Sequence, residues 1–176
     1  MKIAVLSDIH GHLPALEATA EHLTRWRPDH VIINGDIVNR GPKSADCWAF
    51  VKQKRQHEGW LVTRGNHEDY VVQYLQNREN PQTLDDFNPI SYWTFNQMGV
   101  DAVAELAELP LEQSIFHPQG GEVRAIHATR LGSRYGIWHY APDEEVRKQI
   151  APPPAVFCTG HIHFPFIRVL DQTLIV

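Results

Sequence analysis

The sequence predicts an α/β fold whose sheet is parallel in part. Short apolar runs rich in strand formers alternate with stretches of helical periodicity, the pattern of strand-helix-strand units. Later in the chain strand follows strand with no helix between, which adds an antiparallel portion. A third observation bears on function: five of the apolar runs end in Asp, Asn or His.

The elements follow in order. Residues 2–6 (KIAVL) form a strand that runs straight into SDIHGH. Leu13, Leu16, Ala20 and Leu23 then recur at helical spacing, and Pro14 suits a first helical turn. Residues 30–34 (HVIIN) are a second strand, followed by Gly35 and Asp36. A helix over residues 44–54 buries Cys47, Trp48 and Val51. Residues 60–63 (WLVT) are a third strand, followed by RGNHE and a helix over Val71, Val72 and Leu75. Residues 77–88 are polar, carry Pro81 and are expected to be a surface loop. A helical stretch through Trp93, Phe95, Met98, Val103, Leu106 and Leu109 is broken near Gly99 and stopped by Pro110. Residues 112–116 and 122–127 pair across Gly120-Gly121. A loop over 128–140 is rich in Arg and aromatics, and a short helix over 142–150 has acids in its first turn. A strand over 155–159 leads into GHIH, and residues 166–170 and 173–176 close as a hairpin.

The chain has 176 residues, enough for one domain with a real core and too few for two comfortable ones. The expectation is a single domain over residues 1–176. A net charge of -5 speaks against nucleic acid as a stable partner. No apolar run approaches the roughly 20 residues needed to cross a bilayer, and no signal peptide is present, so a cytoplasmic protein is expected. Cys47 and Cys158 match no zinc or disulfide pattern and are expected to be buried apolar residues. Eleven histidines are many for this length.

Their positions supply the reason. The first strand ends in Asp8 and His10, the second in Asp36, and the third in Asn66 and His67. The next ends in His127, and the last of the five in His161 and His163. Ligands bind beyond the carboxyl ends of parallel strands, so side-by-side strands would bring these groups to one spot. Imidazole with carboxylate and no thiolate suits Mn, Fe, Co or Zn. Asp8, His10, Asp36, Asn66, His127, His161 and His163 are too many for one ion. They suit two ions about 3.5–4 Å apart that share a carboxylate. Two such ions bring +4 against -2 from Asp8 and Asp36, and a positive site attracts phosphate. Taken singly, each motif has a plain structural reading. GNHE, for one, can be a helix start capped by Asn66.

As a set, these residues resemble the calcineurin-like metallophosphoesterases. The blocks Asp8-Ile9-His10, GDIVNRG (35–41), GNHE (65–68), His127 and Gly160-His161-Ile162-His163 stand in that family's order and span most of the chain. The resemblance implies a four-layer α/β/β/α sandwich with two central mixed sheets. It implies that Asp8, His10 and His163 hold one divalent ion (Mn, Fe or Zn), that Asn66, His127 and His161 hold another, and that Asp36 bridges them. It implies hydrolysis of phosphomonoesters or phosphodiesters by a metal-activated hydroxide. His67 would serve as acid for the leaving group, and Arg40 would pair with phosphate oxygens beside Asn66 and His67. A protein phosphatase and a dinucleoside polyphosphate hydrolase are variants of that reading. A non-catalytic protein-binding module on the same scaffold is the alternative of a different class.

Two features depart from the family's pattern. Asn39 stands where the protein-phosphatase branch has an Asp that orients the catalytic His. An Asn can hydrogen-bond an imidazole but cannot neutralise an imidazolium. The sequence also ends within its expected last strand, so a truncated C-terminus is expected. His12 follows the first block and is either a supporting residue or a solvent-facing one. Arg130, Arg134, Tyr135, Trp138, His139 and Tyr140, in the loop after His127, could take a second phosphate, stack on a base, or pack on the surface. Tyr92 to Phe95 is expected to be core or cap packing rather than a platform for a base. His22, His30, His57 and His117 stand outside any motif.

Overall fold

The alternation of side chains along HVIIN divides the interior in two. In the computed structural model, which describes residues 1–84 and 87–176, strands β1 (Ile3–Leu6), β2 (His30–Asn34) and β3 (Leu61–Thr63) form a parallel sheet in the order β1-β2-β3. Val31 and Ile33 point to one face and pack against the helices, while Ile32 points to the other. That other face meets a second sheet. Its strands are β4 (Glu112–Phe116), β5 (Glu122–Ile126), β6 (Val156–Cys158), β7 (Arg168–Leu170) and β8 (Thr173–Ile175), in the order β4-β5-β6-β8-β7. The central pairs β5-β6 and β6-β8 are parallel, and both edge pairs are antiparallel. Mixed pairing is thus confined to the second sheet.

The core between the sheets is small. Ile32, Ile115, Ala125 and Cys158 fill it, with Ile3, Leu61, Val123 and Val156 at its margin. Burying each Ile contributes about 1.5–3 kcal/mol. The outer face of the first sheet carries α1 (Leu13–Trp26), α2 (Ser44–Glu58), α3 (Asn66–Val72), α4 (Pro89–Met98) and α5 (Val100–Ala107). The second sheet buries Ile126, Phe157, Leu170 and Ile175 against α6 (Asp143–Ile150). The layers therefore run α/β/β/α.

Local chemistry explains the helix limits. His12 caps α1, its Nδ1 accepting the Ala15 N–H at 3.2 Å. This residue is thus a helix cap rather than part of the strand-end cluster. Leu16, Ala20 and Leu23 line the buried face of α1, which ends at Arg27 in the left-handed region. The second helix runs to Glu58, a turn beyond its expected end, and stops at Gly59 with φ 69°. Gly99, at φ 77°, separates α4 from α5. Tyr92 stacks on Phe95 with centroids 6.4 Å apart, whereas Trp93 between them is exposed and does not join that packing. Cys47 and Cys158 are buried and free, and burial pushes their thiols up to about 12 and 11. The 77–88 loop holds a 3-10 turn at Pro81–Thr83, and Asp85 and Asp86 within it lie outside the described residues. Among the described residues no helix is long and apolar enough to cross a membrane.

Candidate metal centre

Five strand ends meet, three from one sheet and two from the other. Convergence therefore crosses the gap between the sheets, rather than running along side-by-side strands as the sequence suggested. Asn34, at the end of β2, makes the crossing. Its side-chain N–H groups donate to the carbonyls of Ile126 (3.1 Å) and Cys158 (3.4 Å), and its Oδ1 accepts the Thr63 hydroxyl at 3.0 Å. One amide thereby ties the ends of β2, β3, β5 and β6 together.

The loops beyond these ends are bonded to one another. The N–H groups of Asp8, His10 and Gly11 donate to the carbonyls of Gly35 (3.3 Å), Asp36 (2.8 Å) and Ile37 (2.9 Å). Gly160 N–H reaches the His127 carbonyl at 2.8 Å. Buried Glu68 joins the second loop to the third. Its Oε1 accepts N–H from Ile37 (2.8 Å) and Val38 (3.1 Å), and its Oε2 from Asp36 (2.8 Å) and Gly65 (2.7 Å). Burial pushes the Glu68 carboxyl up, to about 7, while the backbone donors around it favour the ionised form. Glu68 is a functional residue of GNHE beyond Asn66 and His67. The signal was there: a Glu three residues after a helix cap returns to the cap's N–H. The cap is Gly65, and Asn66 is the first helical residue rather than the cap.

Close approach dictates two glycines. A Cβ on Gly65 would stand 2.2 Å from Asp36 Oδ1, and one on Gly160 would stand 2.1 Å from Ser7 Oγ. Strain marks the same place. Among the described residues nine non-glycine residues have positive φ; Asp8, His10, Asp36, Asn39, Arg40, His161 and His163 are seven of them. Each such residue costs of order 1–3 kcal/mol. The loop-to-loop bonds hold them there.

The donor atoms fall into two groups. Asp8, His10, Asp36 and His163 offer ligand atoms within 4.8 Å of one another, and so do Asp36, His127 and His161. Asp36 belongs to both. In the first group His163 Nε2 lies 3.1 Å from Asp8 Oδ1 and 3.1 Å from His10 Nε2. His10 Nε2 lies 3.6 Å from Asp36 Oδ2. In the second, His127 Nε2 is 3.1 Å from Asp36 Oδ2 and 3.1 Å from Asn66 Oδ1. Asn66 Oδ1 is in turn 2.8 Å from His161 Nδ1. The seven residues predicted to meet at the strand ends do meet.

Charge within the cluster is uneven. Burial pushes the His10 and His161 rings down, which favours the neutral form that a cation needs. Burial also opposes charge on His127, but its hydrogen bond to Asp36 and the carboxylate's charge outweigh that and raise the ring to about 9. Burial likewise opposes ionisation of Asp36, and the bond to His127 overcomes it and holds the carboxyl below its usual range. His127 Nδ1 donates to the Asn34 carbonyl at 2.9 Å, so Nε2 is the atom facing the site. Between Nε2, Asp36 Oδ2 and Asn66 Oδ1 only a proton or a cation satisfies all three. Oxygen and imidazole donors with no thiolate fit a divalent transition ion in each group.

His67 and Arg40 flank the cluster. His67 is 8% exposed, its N–H donates to Asp36 Oδ1 at 2.9 Å, and burial pushes its ring down to about 4. Its Nδ1 is buried without a hydrogen-bond partner. Arg40 is exposed, and its charge acts on both His10 and His67. Asn39 does not bond to His67. Its Nδ2 donates to Ser91 Oγ at 2.8 Å, and its Oδ1 accepts the Arg40 N–H at 2.9 Å. In the 128–140 loop Arg134 packs over Tyr70, Arg130 lies 3.6 Å from Glu112, Trp138 stacks on Tyr140, and His139 stacks on Phe164. Tyr135 is exposed.

Comparison with known proteins accords with this geometry. The family model of calcineurin-like phosphoesterases matches residues 1–165, and the chain belongs to that family. An uncharacterized protein of Methanocaldococcus jannaschii is 28% identical over 179 residues, covering 98% of this chain and 67% of its own. The phosphodiesterase YfcE of Escherichia coli is 35% identical over 81 residues, covering 43% of this chain and 44% of YfcE. The crystal structure of a metallophosphoesterase from Sphaerobacter thermophilus superposes with a TM-score of 0.69 at 25% identity. That match covers 98% of this chain and 64% of the other. The chain thus spans well under the full length of these relatives.

Proposed function

We propose that this chain hydrolyses phosphate esters, with two divalent cations held side by side. Asp8, His10 and His163 would hold one, Asn66, His127 and His161 the other, and Asp36 both. The carrying observation is the division of the donor atoms into two groups that share Asp36. Bound there, such ions would supply Lewis-acid activation of the phosphoryl group and of water.

The chain's own residues supply the rest. Arg40 offers a planar guanidinium to phosphate oxygens at the open side of the cluster. The Nδ1 of His67 is buried, so Nε2 is the nitrogen that reaches substrate. The ring is neutral in the free protein. An anionic phosphate bound against it favours its protonation, and Nε2 then gives that proton to the departing oxygen. Asn39 is occupied by Ser91 and the Arg40 backbone, so no side chain at that position backs His67. This favours a small-molecule esterase over a protein-phosphatase type of site. The likeness to YfcE makes phosphodiesters the first class to screen.

The test is metal analysis of the purified protein, then assay of mono- and diesters with Mn, Fe or Zn. Two bound ions per chain with turnover are expected. Bound ions without turnover of any ester would favour the non-catalytic binding module.

A further inference from the structure

We propose that Tyr70, covered by Arg134, is a positioning residue for His67, holding its ring by packing where no hydrogen bond does. The inference rests on the phosphoesterase reading and on His67 as its acid. A buried polar atom without a partner calls for an account of what holds it, and His67 Nδ1 is such an atom. Asn39 is turned away toward Ser91 and Thr94. Two aromatic rings pack against the His67 ring. His10 meets it edge to face with centroids 4.6 Å apart and planes at 81°. Tyr70 does so with centroids 5.1 Å apart and planes at 78°. His10 is itself a candidate ligand, placed by the cluster. Tyr70 is therefore the wall that the rest of the protein can set.

It is set from outside. The guanidinium carbon of Arg134 lies 4.8 Å from the centre of the Tyr70 ring. One residue earlier in each segment, the Ser133 hydroxyl donates to Asp69 Oδ2 at 2.9 Å. The 128–140 loop is thus fastened to α3 at two successive residues. The same loop follows His127, so the segment that delivers one candidate ligand also steadies the proposed acid. An edge-to-face pair biases a ring between orientations by about 2- to 10-fold.

The test reads proton donation rather than overall activity. Phenyl and p-nitrophenyl esters of the phosphate class the protein hydrolyses are assayed with the manganese-loaded full chain. Phenolate is the more basic leaving group and needs the acid more. His67→Ala should lower the phenyl to p-nitrophenyl ratio of kcat by about 100-fold. Tyr70→Leu should lower it by about 3- to 10-fold with KM little changed, and Tyr70→Phe, which keeps the ring, should restore it. Metal content and circular dichroism are measured on each variant. Should Tyr70→Leu lose either, Arg134→Gln carries the test, with an expected drop of about 2- to 3-fold. A ratio at the wild-type value in the folded Tyr70 or Arg134 variant, with His67→Ala lowered, overturns the positioning role alone. A wild-type ratio in His67→Ala overturns the acid role and this proposal with it. No turnover by the wild type removes the phosphoesterase reading and everything built on it.

Discussion

His127 Nε2 lies 3.1 Å from Asp36 Oδ2, and at this contact the donor group shared across the two sheets is closed. Asp36 comes from the first sheet and His127 from the second, and both are 1% exposed. A buried carboxylate so placed needs a positive partner, and the protonated ring supplies one.

Asp36→Asn should lose both cations together. An Asn can keep its Oδ1 on the His67 N–H, where Asp36 Oδ1 now sits at 2.9 Å. Its amide N–H groups would then face His127 and His10, putting donors where both candidate ions need an acceptor. Elemental analysis should show a parallel fall in stoichiometry from two ions toward none. Loss of one ion with the other retained would argue against a shared ligand.

The same pair predicts the pH response of the metal-free protein. The folded pKa of His127, about 9, lies above its unfolded value of 6.5. The ring therefore contributes stability that is fully present below pH 6.5 and is lost as pH rises through 9. Urea unfolding in chelator should show a falling midpoint between pH 7 and 9, and His127→Gln should flatten that limb. Cation binding must displace the proton, so apparent affinity should rise over the same interval, with proton release measurable by calorimetry in buffers of different ionisation enthalpy.

Much of this site was legible in the sequence because its ligands follow apolar runs at fixed short offsets. Asp8, Asp36 and His127 each stand one or two residues past a strand, and a strand end fixes where the next residues go. What was not legible depends on how two sheets face each other. HVIIN reads as buried on both faces. Nothing in it says that Ile32 would meet Cys158, or that Asn34 would bond to carbonyls 92 and 124 residues away. The partner of Asn39 was not legible for a related reason. Its motif position allowed a bond to His67, but the partner that claims it, Ser91, lies on a helix 52 residues later.

His67→Ala should separate chemistry from assembly. The side chain contributes no donor atom to either group, and only its backbone N–H holds Asp36. Metal content should stay near wild type while kcat falls about 10²- to 10³-fold. Arg40→Gln should act differently, raising KM more than it lowers kcat, because its guanidinium meets the ground state as well as the transition state. An unchanged kcat in His67→Ala would remove the residue from the acid role.

Glu68→Gln tests whether the loops or the ions hold the cluster together. Each carboxylate oxygen accepts two backbone N–H groups, from Ile37 and Val38 on one side and from Asp36 and Gly65 on the other. An amide fits one side only, and whichever way it turns, two buried N–H donors meet an NH2. Leaving buried donors unsatisfied costs about 1–3 kcal/mol each, partly relieved by relaxation, so a loss of roughly 2–4 kcal/mol is expected in urea unfolding without metal. The Asp36 loop is also released, so cation affinity should fall about 10-fold or more although no candidate ligand is altered. Saturating manganese should recover part of the lost stability, since a ligand that binds only the folded state restores it by mass action. If the variant matched the wild type in both stability and affinity, the loops would be held by something other than this carboxylate.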